Sequence, residues 1–558
     1  MKFSLPPLPW LLSAAVLWTH GGLAQPTVTF DQPAGEVEAF DFVEVCVQVK
    51  GTEAKNPFVD AKMRGSFQIT NGATLSVEGF CDSADGSRHC IRFMPPAPGT
   101  YSFTATYQEG SFNQTTSGKF NVKDGKRRGM LRVDRDHPWH FLWEGTREHY
   151  FWNGTTAYWL LGWEDDGIMH AAVDRFAALK VNRMRVALCG RTASGARWNE
   201  PQVQQTEKFK FRLNPWVAAR PDSPDDPGFD VTRFNLPFWQ RCERMLAKAR
   251  QHDIIVSLIF YLDGKDKGVD PFGKAHAASD DEKRYYQYAV ARLGAFSNVV
   301  WDLSNEYRHL RDDAWANVMG DFVKSCDPYD HLLSIHGHPD FSFRASPWAD
   351  YCLYQQWDEH GGYDFMLKNR REQETTGHPK PQINEEYGYE DHYPVGWGGD
   401  RTAPARNADS RRRLAWEISM AGGYQTTGER ANQGCGKPPD TGGGWITARG
   451  DDQMTMLGGY AKLAAFFTSF DWWKANPDNS CIREGNARCL VEPGKTFALY
   501  LPKGGSVTVA LPPGKFQGQS CNCRTGEIKP LGEIPGGADW KSPVLEDGGG
   551  DWALLLRQ

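Results

Sequence analysis

Short runs of alternating apolar and polar residues fill the chain from residue 26 to about residue 122. Two examples are VEVCVQV at 43–49 and YSFTATY at 101–107, and Gly, Pro and Asn separate such runs. A period of two with frequent turns is typical of half-buried antiparallel strands. We therefore predict an amino-terminal β-sandwich at 25–122, followed by a polar, basic linker at 123–130.

From residue 131 the pattern changes to apolar runs that are each followed by a helical stretch. The runs lie at 151–157, 182–188, 254–261, 299–304, 332–336, 351–355, 382–385 and about 420–427. The helical stretches include 171–179, 236–252, 282–294, 314–325 and 409–418, with a closing helix at 457–473. Eight such units in roughly 300 residues predict a parallel (β/α)8 barrel.

These patterns together predict a multidomain fold of the α/β plus all-β class. The barrel is predicted at 131–486. Alternation returns after it, as in FALYL at 497–501 and SVTVAL at 506–511. We therefore predict a small carboxyl-terminal β-sandwich at 487–558.

The first 24 residues have the pattern of a secretory signal peptide. Lys2 supplies the positive charge, 8–18 form a short apolar run, and the small residues at 22–24 suit a signal peptidase. Cleavage near Ala24 predicts a secreted or periplasmic protein. The apolar run is too short to span a bilayer, and no later stretch approaches the roughly 20 apolar residues of a membrane helix.

The composition is that of a globular protein rich in aromatic rings. Of 558 residues, 40% are hydrophobic and 24% are charged, which excludes disorder as the main state. The formal net charge is −6, so there is no net positive field to attract nucleic acid. The 21 Trp, 19 Tyr and 31 Phe residues favour a polysaccharide or oligosaccharide partner, because flat rings commonly stack on sugars.

The 12 cysteines form an even set that suits an oxidising compartment. The two closest plausible pairs are Cys81 with Cys90 and Cys481 with Cys489. We expect at least one of these two pairs to be oxidised. For the cysteines in apolar, periodic segments, buried free thiols are an equally good interpretation.

Two of the predicted barrel strands end in carboxylate side chains. Asn305 and Glu306 follow the fourth run, and Glu385 and Glu386 end the seventh. The reactive groups of such barrels lie at the carboxyl ends of the strands. One glutamate alone would be interpreted as a surface charge. Two glutamates across one barrel mouth predict glycosidic chemistry, since hydrolysis with retention needs two carboxyl groups about 5–5.5 Å apart.

The same residues resemble a known group of enzymes. Asn-Glu at 305–306 and Glu-Tyr-Gly at 386–388 resemble the acid/base and nucleophile motifs of clan A (4/7) glycoside hydrolases. The segments FWNGTTA at 151–157, EYGYE at 386–390 and AGGYQTTG at 421–428 are similar to the apiosidase-like family within that clan.

This resemblance implies roles for the two glutamates and for the flanking domains. Glu306 is implied as the general acid/base and Glu386 as the nucleophile. Family members often carry an amino-terminal β-sandwich of unknown function and a carboxyl-terminal β-domain of collagen-binding type. Glu385 is the main competitor for the nucleophile role, and because strand side chains alternate, Glu385 and Glu386 cannot point to one place.

Further side chains near the strand ends are candidates for binding substrate. The predicted substrate-binding residues are Asn305, Arg185, His336, His338, Gln355 and Trp357. Asn305 is expected to donate to the sugar 2-hydroxyl, and Arg185 is expected to hold the nucleophile's charge through a bidentate contact. His336 and His338 have metal-like spacing, but two histidines leave a zinc site short of ligands, so sugar contact is the favoured interpretation.

The leading hypothesis is a secreted retaining glycoside hydrolase that acts on plant or algal polysaccharide without a metal or another cofactor. The alternative is a non-catalytic glycan-binding or adhesion protein built on the same barrel. The sequence leaves open the glycan and its linkage, endo or exo action, the roles of the two β-domains, disulfide connectivity and the oligomeric state.

Overall fold

The computed structural model describes residues 26–191, 208–223, 225–262, 269–337, 339–390, 406–430, 444–450, 454–546 and 549–558. A parallel eight-stranded sheet forms a barrel in the middle of the chain, and antiparallel sheets flank it on both sides in sequence. The predicted fold class is confirmed. The predicted signal peptide lies outside the described residues. None of the described helices is both long enough and apolar enough to cross a membrane.

The amino-terminal unit consists of a four-stranded and a five-stranded sheet. The strands are Thr27–Phe30, Glu36–Glu38, Val43–Lys50, Ala61–Ile69, Thr74–Glu78, Phe80–Cys81, Arg88–Phe93, Gly99–Glu109 and Phe112–Lys123, with one short helix at Pro57–Asp60. Alternate side chains of both sheets, among them Val45, Phe67 and Phe103, share one buried core. This core explains the period of two in the sequence, because the opposite side chains of each strand face solvent.

One disulfide crosses this unit, and it is not the predicted local pair. Cys46 is bonded to Cys90, while Cys81 is a free thiol, so the predicted pair of Cys81 with Cys90 is wrong. The reason is strand register: Cys46 lies directly opposite Cys90 on an antiparallel neighbour, whereas Cys81 lies opposite His89.

The barrel strands follow each other around the sheet in chain order. Barrel strands 1 to 8 are Asn153–Thr156, Arg183–Ala187, Ile255–Ile259, Val299–Asp302, Leu333–Ser334, Cys352–Gln355, Gln382–Glu386 and Tyr424–Thr427. Backbone hydrogen bonds join each pair of neighbouring barrel strands except strands 5 and 6. There Ser334 Oγ donates to the carbonyl of Tyr351 at 2.7 Å, which brings the two edges together.

Helices surround the barrel between the strands. They span Asp166–Ala178, Leu236–Arg250, Asp280–Leu293, Asp313–Cys326, Tyr363–Glu374, Ala408–Met420 and Met456–Phe467, with a short helix at Gly444–Thr447. One-turn 3-10 helices lie at Leu160–Gly162, Lys274–His276, Tyr307–His309, Asp358–Gly361 and Trp472–Lys474. Two small ribbons follow barrel strand 2 and pair Gly190–Arg191 with Arg212–Leu213, and Trp216–Ala218 with Phe229–Phe234.

The barrel is closed at its amino-terminal end by a three-stranded antiparallel sheet of Leu131–Val133, Phe141–Trp143 and His149–Tyr150. The ring of Phe141 packs against Trp152 and Tyr424, whose ring centroids lie 5.3 and 5.7 Å away. Water is therefore excluded from this end, and the opposite end is the one available to a ligand.

Two sheets form the carboxyl-terminal unit. Their strands are Asn476–Pro477, Ile482–Glu484, Arg488–Glu492, Thr496–Leu501, Thr508–Ala510, Lys515–Asn522, Ile528–Pro535, Asp539–Lys541 and Trp552–Arg557. The first strand begins at Asn476, before the predicted boundary at 487, because it pairs with Arg488–Glu492. Cys481 and Cys489 are free thiols that hydrogen-bond to each other, so their oxidation stays a prediction.

Candidate active site

Two carboxylate side chains meet at the carboxyl end of the barrel. Glu306 follows barrel strand 4, and Glu386 is the last residue of barrel strand 7. The backbone of Glu306 is left-handed, with φ 43° and ψ 50°, a conformation that costs a residue other than glycine about 1–3 kcal/mol. The surrounding fold therefore holds Glu306 in a strained turn, as is common for functional side chains.

One amide group bridges the two carboxylates. Nε2 of Gln355 donates to Glu306 Oε1 at 2.9 Å and to Glu386 Oε2 at 3.3 Å. Because both oxygens lie close to the same nitrogen, they are at most about 6 Å apart. This limit excludes, for these two oxygens, the separation of about 6.5–9.5 Å that is typical of inverting glycosidases.

A β-bulge places this bridging residue. The register between barrel strands 6 and 7 shifts after Tyr354, which pairs with Asn384, so that Gln355 pairs with Glu386. Glu385 is the extra residue of the bulge. Bulges commonly occur beside active sites, where they redirect side chains.

Glu386 is almost fully buried, with 5% of its side chain exposed. Burial raises the pKa of its carboxyl, and the nearby charge of Glu306 raises it further, whereas Arg185 and the hydroxyl of Tyr158 lower it. Nη1 of Arg185 donates to Glu386 Oε1 at 3.1 Å, and Tyr158 donates to the same oxygen. Oε1 is thus the anchored oxygen, while Oε2 faces Gln355 and Glu306.

Asn305 is held by the same two residues. Its Oδ1 accepts from Nη2 of Arg185 at 2.8 Å and from the hydroxyl of Tyr158 at 3.1 Å. Its Nδ2 donates to none of the described residues, which leaves the amide hydrogens available to a ligand. The predicted contact between Arg185 and Glu386 is present, but it uses one nitrogen and is not bidentate, because the guanidinium also serves Asn305.

His336 packs beneath the two carboxylates and is fully buried. Its Nδ1 accepts from the backbone N–H of Glu306 at 3.3 Å and lies 4.0 Å from Glu386 Oε1. A neutral ring that accepts at Nδ1 carries its proton on Nε2. His338 lies outside the described residues.

Trp357 lies beside this group rather than in it. Its ring contacts Tyr389, with centroids 5.8 Å apart, and the guanidinium of Arg406 lies 4.8 Å from it. Tyr389 in turn stacks on Trp445 at 4.5 Å and donates to the hydroxyl of Tyr158 at 3.0 Å. These aromatic side chains form one continuous wall from Trp357 to Tyr158.

Tyr158 and Tyr389 were missed by the sequence reasoning. Tyr158 comes directly after the first apolar run, and Tyr389 lies inside the EYGYE segment. The position of Tyr158 after a strand was the available signal. It was weak because an aromatic residue there is usually core. Burial keeps the pKa of the Tyr158 hydroxyl well above its ordinary value, so the hydroxyl stays protonated and acts as a hydrogen-bond donor.

Glu385 points into the barrel interior and is fully buried. Its Oε1 lies 2.5 Å from Nη2 of Arg183 and 3.0 Å from Nε of Arg185. Glu385 and Glu386 therefore occupy different places, as predicted, yet both contact the guanidinium of Arg185. Glu385 is too deep to meet a ligand at the barrel mouth.

Metal-ligating groups converge at two places within the described part of the chain, and both are away from this site. One consists of Glu44, Cys46 and Cys90, whose thiols form the disulfide. The other comprises Asp134 with His137 and His149, at the amino-terminal end of the barrel, where both imidazoles already hydrogen-bond to the carboxylate. The His336 ring belongs to neither group.

Comparison with protein families gives a match over residues 140–429 to the catalytic domain described as apiosidase-like. This match covers more than half of the chain. The chain belongs to the apiosidase-like family. A second match, over residues 36–108, is to a domain of unknown function (DUF5060). No curated protein sequence matches significantly.

Solved structures share the fold of this apiosidase-like chain. A candidate glycoside hydrolase from Bacteroides vulgatus ATCC 8482 is 20% identical, with a TM-score of 0.73, and the match covers 94% of this chain and 99% of that one. Another glycoside hydrolase is 16% identical, with a TM-score of 0.56, over 77% and 97% of the two chains. A family 5 glycoside hydrolase from the same Bacteroides is 14% identical, with a TM-score of 0.56, over 77% and 93%.

These matches bear on the predictions in different ways. The predicted family is confirmed, and family membership supports glycoside hydrolase activity on a carbohydrate. At these identities the solved structures show the shared fold alone. The individual roles of Glu306, Glu386 and the surrounding residues stay predictions.

Proposed function

We propose that this apiosidase-like chain is a secreted, retaining glycoside hydrolase in which Glu306 is the general acid/base and Glu386 the nucleophile. The observation that carries the proposal is the bridge formed by Gln355 between the two carboxylates. It keeps their facing oxygens within about 6 Å, near the separation of about 5–5.5 Å in retaining enzymes and below the separation of about 6.5–9.5 Å in inverting enzymes.

The first chemical step follows from this arrangement. Oε2 of Glu386 attacks the anomeric carbon while the bond from that carbon to the glycosidic oxygen breaks. The proton of Glu306 passes to the departing oxygen, which leaves as an alcohol. A covalent glycosyl ester on Glu386 results.

The second step reverses the roles. Glu306, now ionised, takes a proton from a water molecule, and the water oxygen attacks the anomeric carbon from the face that the leaving group vacated. The ester bond to Glu386 breaks, and its electron pair returns to the carboxylate. Two inversions at one carbon retain the anomeric configuration.

The neighbours of Glu386 suit a nucleophile. Arg185 and Tyr158 both contact Oε1 and favour the ionised form against the cost of burial. Because these contacts anchor Oε1, Oε2 is the oxygen oriented for attack. Asn305, whose oxygen is fixed by Arg185, would present its amide hydrogens to the sugar 2-hydroxyl, a contact that strengthens in the transition state.

Three observations bear on the proposed export and the proposed plant or algal polysaccharide substrate. The residues at 1–24 have the pattern of a signal peptide, and a disulfide between Cys46 and Cys90 suits an oxidising compartment. Trp357, the partly buried end of the aromatic wall, is the ring on which we expect a neutral sugar to stack.

A screen of the mature protein against plant and algal polysaccharides, with product sugars identified, tests this proposal. E386Q, which keeps the size of the side chain, is the matched inactive control. The account expects a released sugar from the wild type and none from E386Q. Glycan binding without turnover by the wild type would contradict the account and favour the non-catalytic alternative.

A further inference from the structure

The interior of this barrel is unusual in being charged. Barrels of this class are normally filled with Val, Ile and Leu side chains. Here barrel strand 2 directs Arg183 and Arg185 inward, where both are fully buried, and Glu385 meets them from barrel strand 7. Buried charges without compensation are costly, so such a group needs a reason.

Arg185 divides its guanidinium among four partners, one of which is the hydroxyl of Tyr158, 2.9 Å from Nη1. Nη1 contacts Glu386 and Nη2 contacts Asn305, which are the two groups that face the ligand. Nε lies 3.0 Å from Glu385, which is inaccessible to a ligand. The rigid planar fork means that fixing one nitrogen fixes the directions of the other two.

Glu385 is itself held firmly. Arg183 contacts the same Oε1 and is tied to Ser257 Oγ at 2.6 Å and to Thr426 Oγ1 at 3.1 Å. These partners come from barrel strands 3 and 8. The position of Glu385 is therefore set by several strands and does not depend on the barrel mouth.

We propose that Glu385 is a positioning residue: its carboxylate forms an ion pair with the guanidinium of Arg185 on the Nε side, so that the two terminal nitrogens of Arg185 reach Glu386 and Asn305. The β-bulge makes this possible, because the inserted residue lets two adjacent glutamates approach one guanidinium from different sides. The effect that we expect on catalysis rests on the proposed glycosidase function. The positioning of Arg185 by Glu385 does not depend on it.

Kinetics of Glu385 variants test the catalytic consequence. E385A is expected to lower kcat on an aryl glycoside about 10²-fold, the order expected for a displacement of about 1 Å. KM should stay close to the wild-type value, since Glu385 does not touch the substrate. E385Q keeps the size of the side chain and an oxygen beside the guanidinium but loses the charge, so it should recover part of the lost kcat.

The pH profile separates positioning from a structural role. Glu385 is surrounded by Arg183, Arg185, Asp302 and Tyr351 as well as its neighbour Glu386. Arg185 lowers the pKa of Glu386, so in E385A, where the guanidinium loses its hold near Glu386, the acidic limb of kcat/KM should move to higher pH, whereas a purely structural loss would leave that limb in place.

D551A is the matched control, because it removes a buried carboxylate that pairs with Arg412 outside the barrel interior. It should lower the Tm without moving the acidic limb. Equal kcat for E385A and the wild type, or an unmoved acidic limb in E385A, would overturn the proposal.

Crystal structures give a test that is independent of activity. In E385A the guanidinium of Arg185 is expected to leave Asn305 or Glu386. If the uncompensated charge of Arg183 prevents folding, R183Q/E385A removes one charge of each sign and permits the same test. If Arg185 keeps its wild-type contacts in the variant structure, the proposal is overturned. If the wild-type protein is inactive on every glycan, the proposed function is contradicted instead.

Discussion

Nε2 of Gln355 lies 2.9 Å from Oε1 of Glu306, so a side chain from barrel strand 6 holds the strained turn after barrel strand 4. The same nitrogen lies 3.3 Å from Oε2 of Glu386 on barrel strand 7. The amide group of Gln355 thereby links the ends of barrel strands 6 and 7 to the turn after barrel strand 4. The distance between the carboxylates is fixed before any ligand enters.

Replacing Gln355 tests the electrostatic part of this linkage. An N–H donor stabilises the ionised form of a carboxyl, so its removal raises the pKa. In Q355A both limbs of the pH profile of kcat/KM should therefore move to higher pH. Q356A, which alters the next amide in the chain, is the control and should leave both limbs in place. Limbs that stay fixed in Q355A would contradict the linkage.

Substitution of the two glutamates should separate their roles. E306A removes the proton donor, so substrates with poor leaving groups should slow most, while aryl glycosides with acidic leaving groups still form the glycosyl ester. E386A should abolish activity on both kinds of substrate. Initial rates on a matched pair of substrates measure this. Equal losses for both variants on both substrates would show that the roles are assigned wrongly.

The sequence predicted the frame of the molecule well. Each of the eight predicted apolar runs overlaps a barrel strand, and the two glutamates lie at the ends of strands 4 and 7. The positions of the strands and of the two glutamates follow from the hydrophobic period and the order of the elements, both of which can be read from neighbouring residues in the chain. The register of Cys46 opposite Cys90 is not local, since it is set by pairing between strands far apart in sequence.

The parts of the site that were not predicted also depend on pairing between strands that are far apart in sequence. The rule of alternating strand side chains does not foresee a bulge, so the place of Glu385 beside Arg185 was hidden. Tyr158 becomes recognisable as a site residue only when strands 1, 2 and 7 come together around its hydroxyl. The charged barrel interior did leave a signal, because barrel strand 2 carries Arg183 and Arg185 at alternating positions, but alternation alone does not tell the interior of a barrel from its outer face.

Asp302 offers a test of that charged interior through stability. Burial raises the pKa of Asp302 to about 7 from an ordinary value of 3.8, although Arg185 opposes the change. The folded state therefore keeps the proton longer than the unfolded state. The resulting stabilisation is fully present below about pH 4 and is lost as the pH rises through about 7, by roughly 4 kcal/mol in all.

D302N should escape this loss because its side chain never ionises. The Tm of D302N minus that of the wild type should grow between about pH 4 and about pH 8. Calorimetry at both pH values measures the difference and cancels the contribution of other groups. A difference that is constant with pH would show that the pKa of Asp302 is the same in the folded and unfolded states, and would contradict the raised pKa.

The disulfide gives a separate prediction for the amino-terminal unit. Peptide mapping without reductant should find Cys46 joined to Cys90 and Cys81 as a free thiol. Because 44 residues separate the bonded pair, C46A/C90A should lower the free energy of unfolding by about 4 kcal/mol through the greater freedom of the unfolded chain. Recovery of a peptide that links Cys81 to Cys90 would contradict the strand register.

The central claim is that Glu386 forms a covalent glycosyl intermediate that Glu306 helps water to hydrolyse. Proton NMR of the first product formed from a substrate of known anomeric configuration tests it most directly, before mutarotation scrambles the signal. The account predicts a product with the configuration of the substrate. A first product of inverted configuration would contradict it.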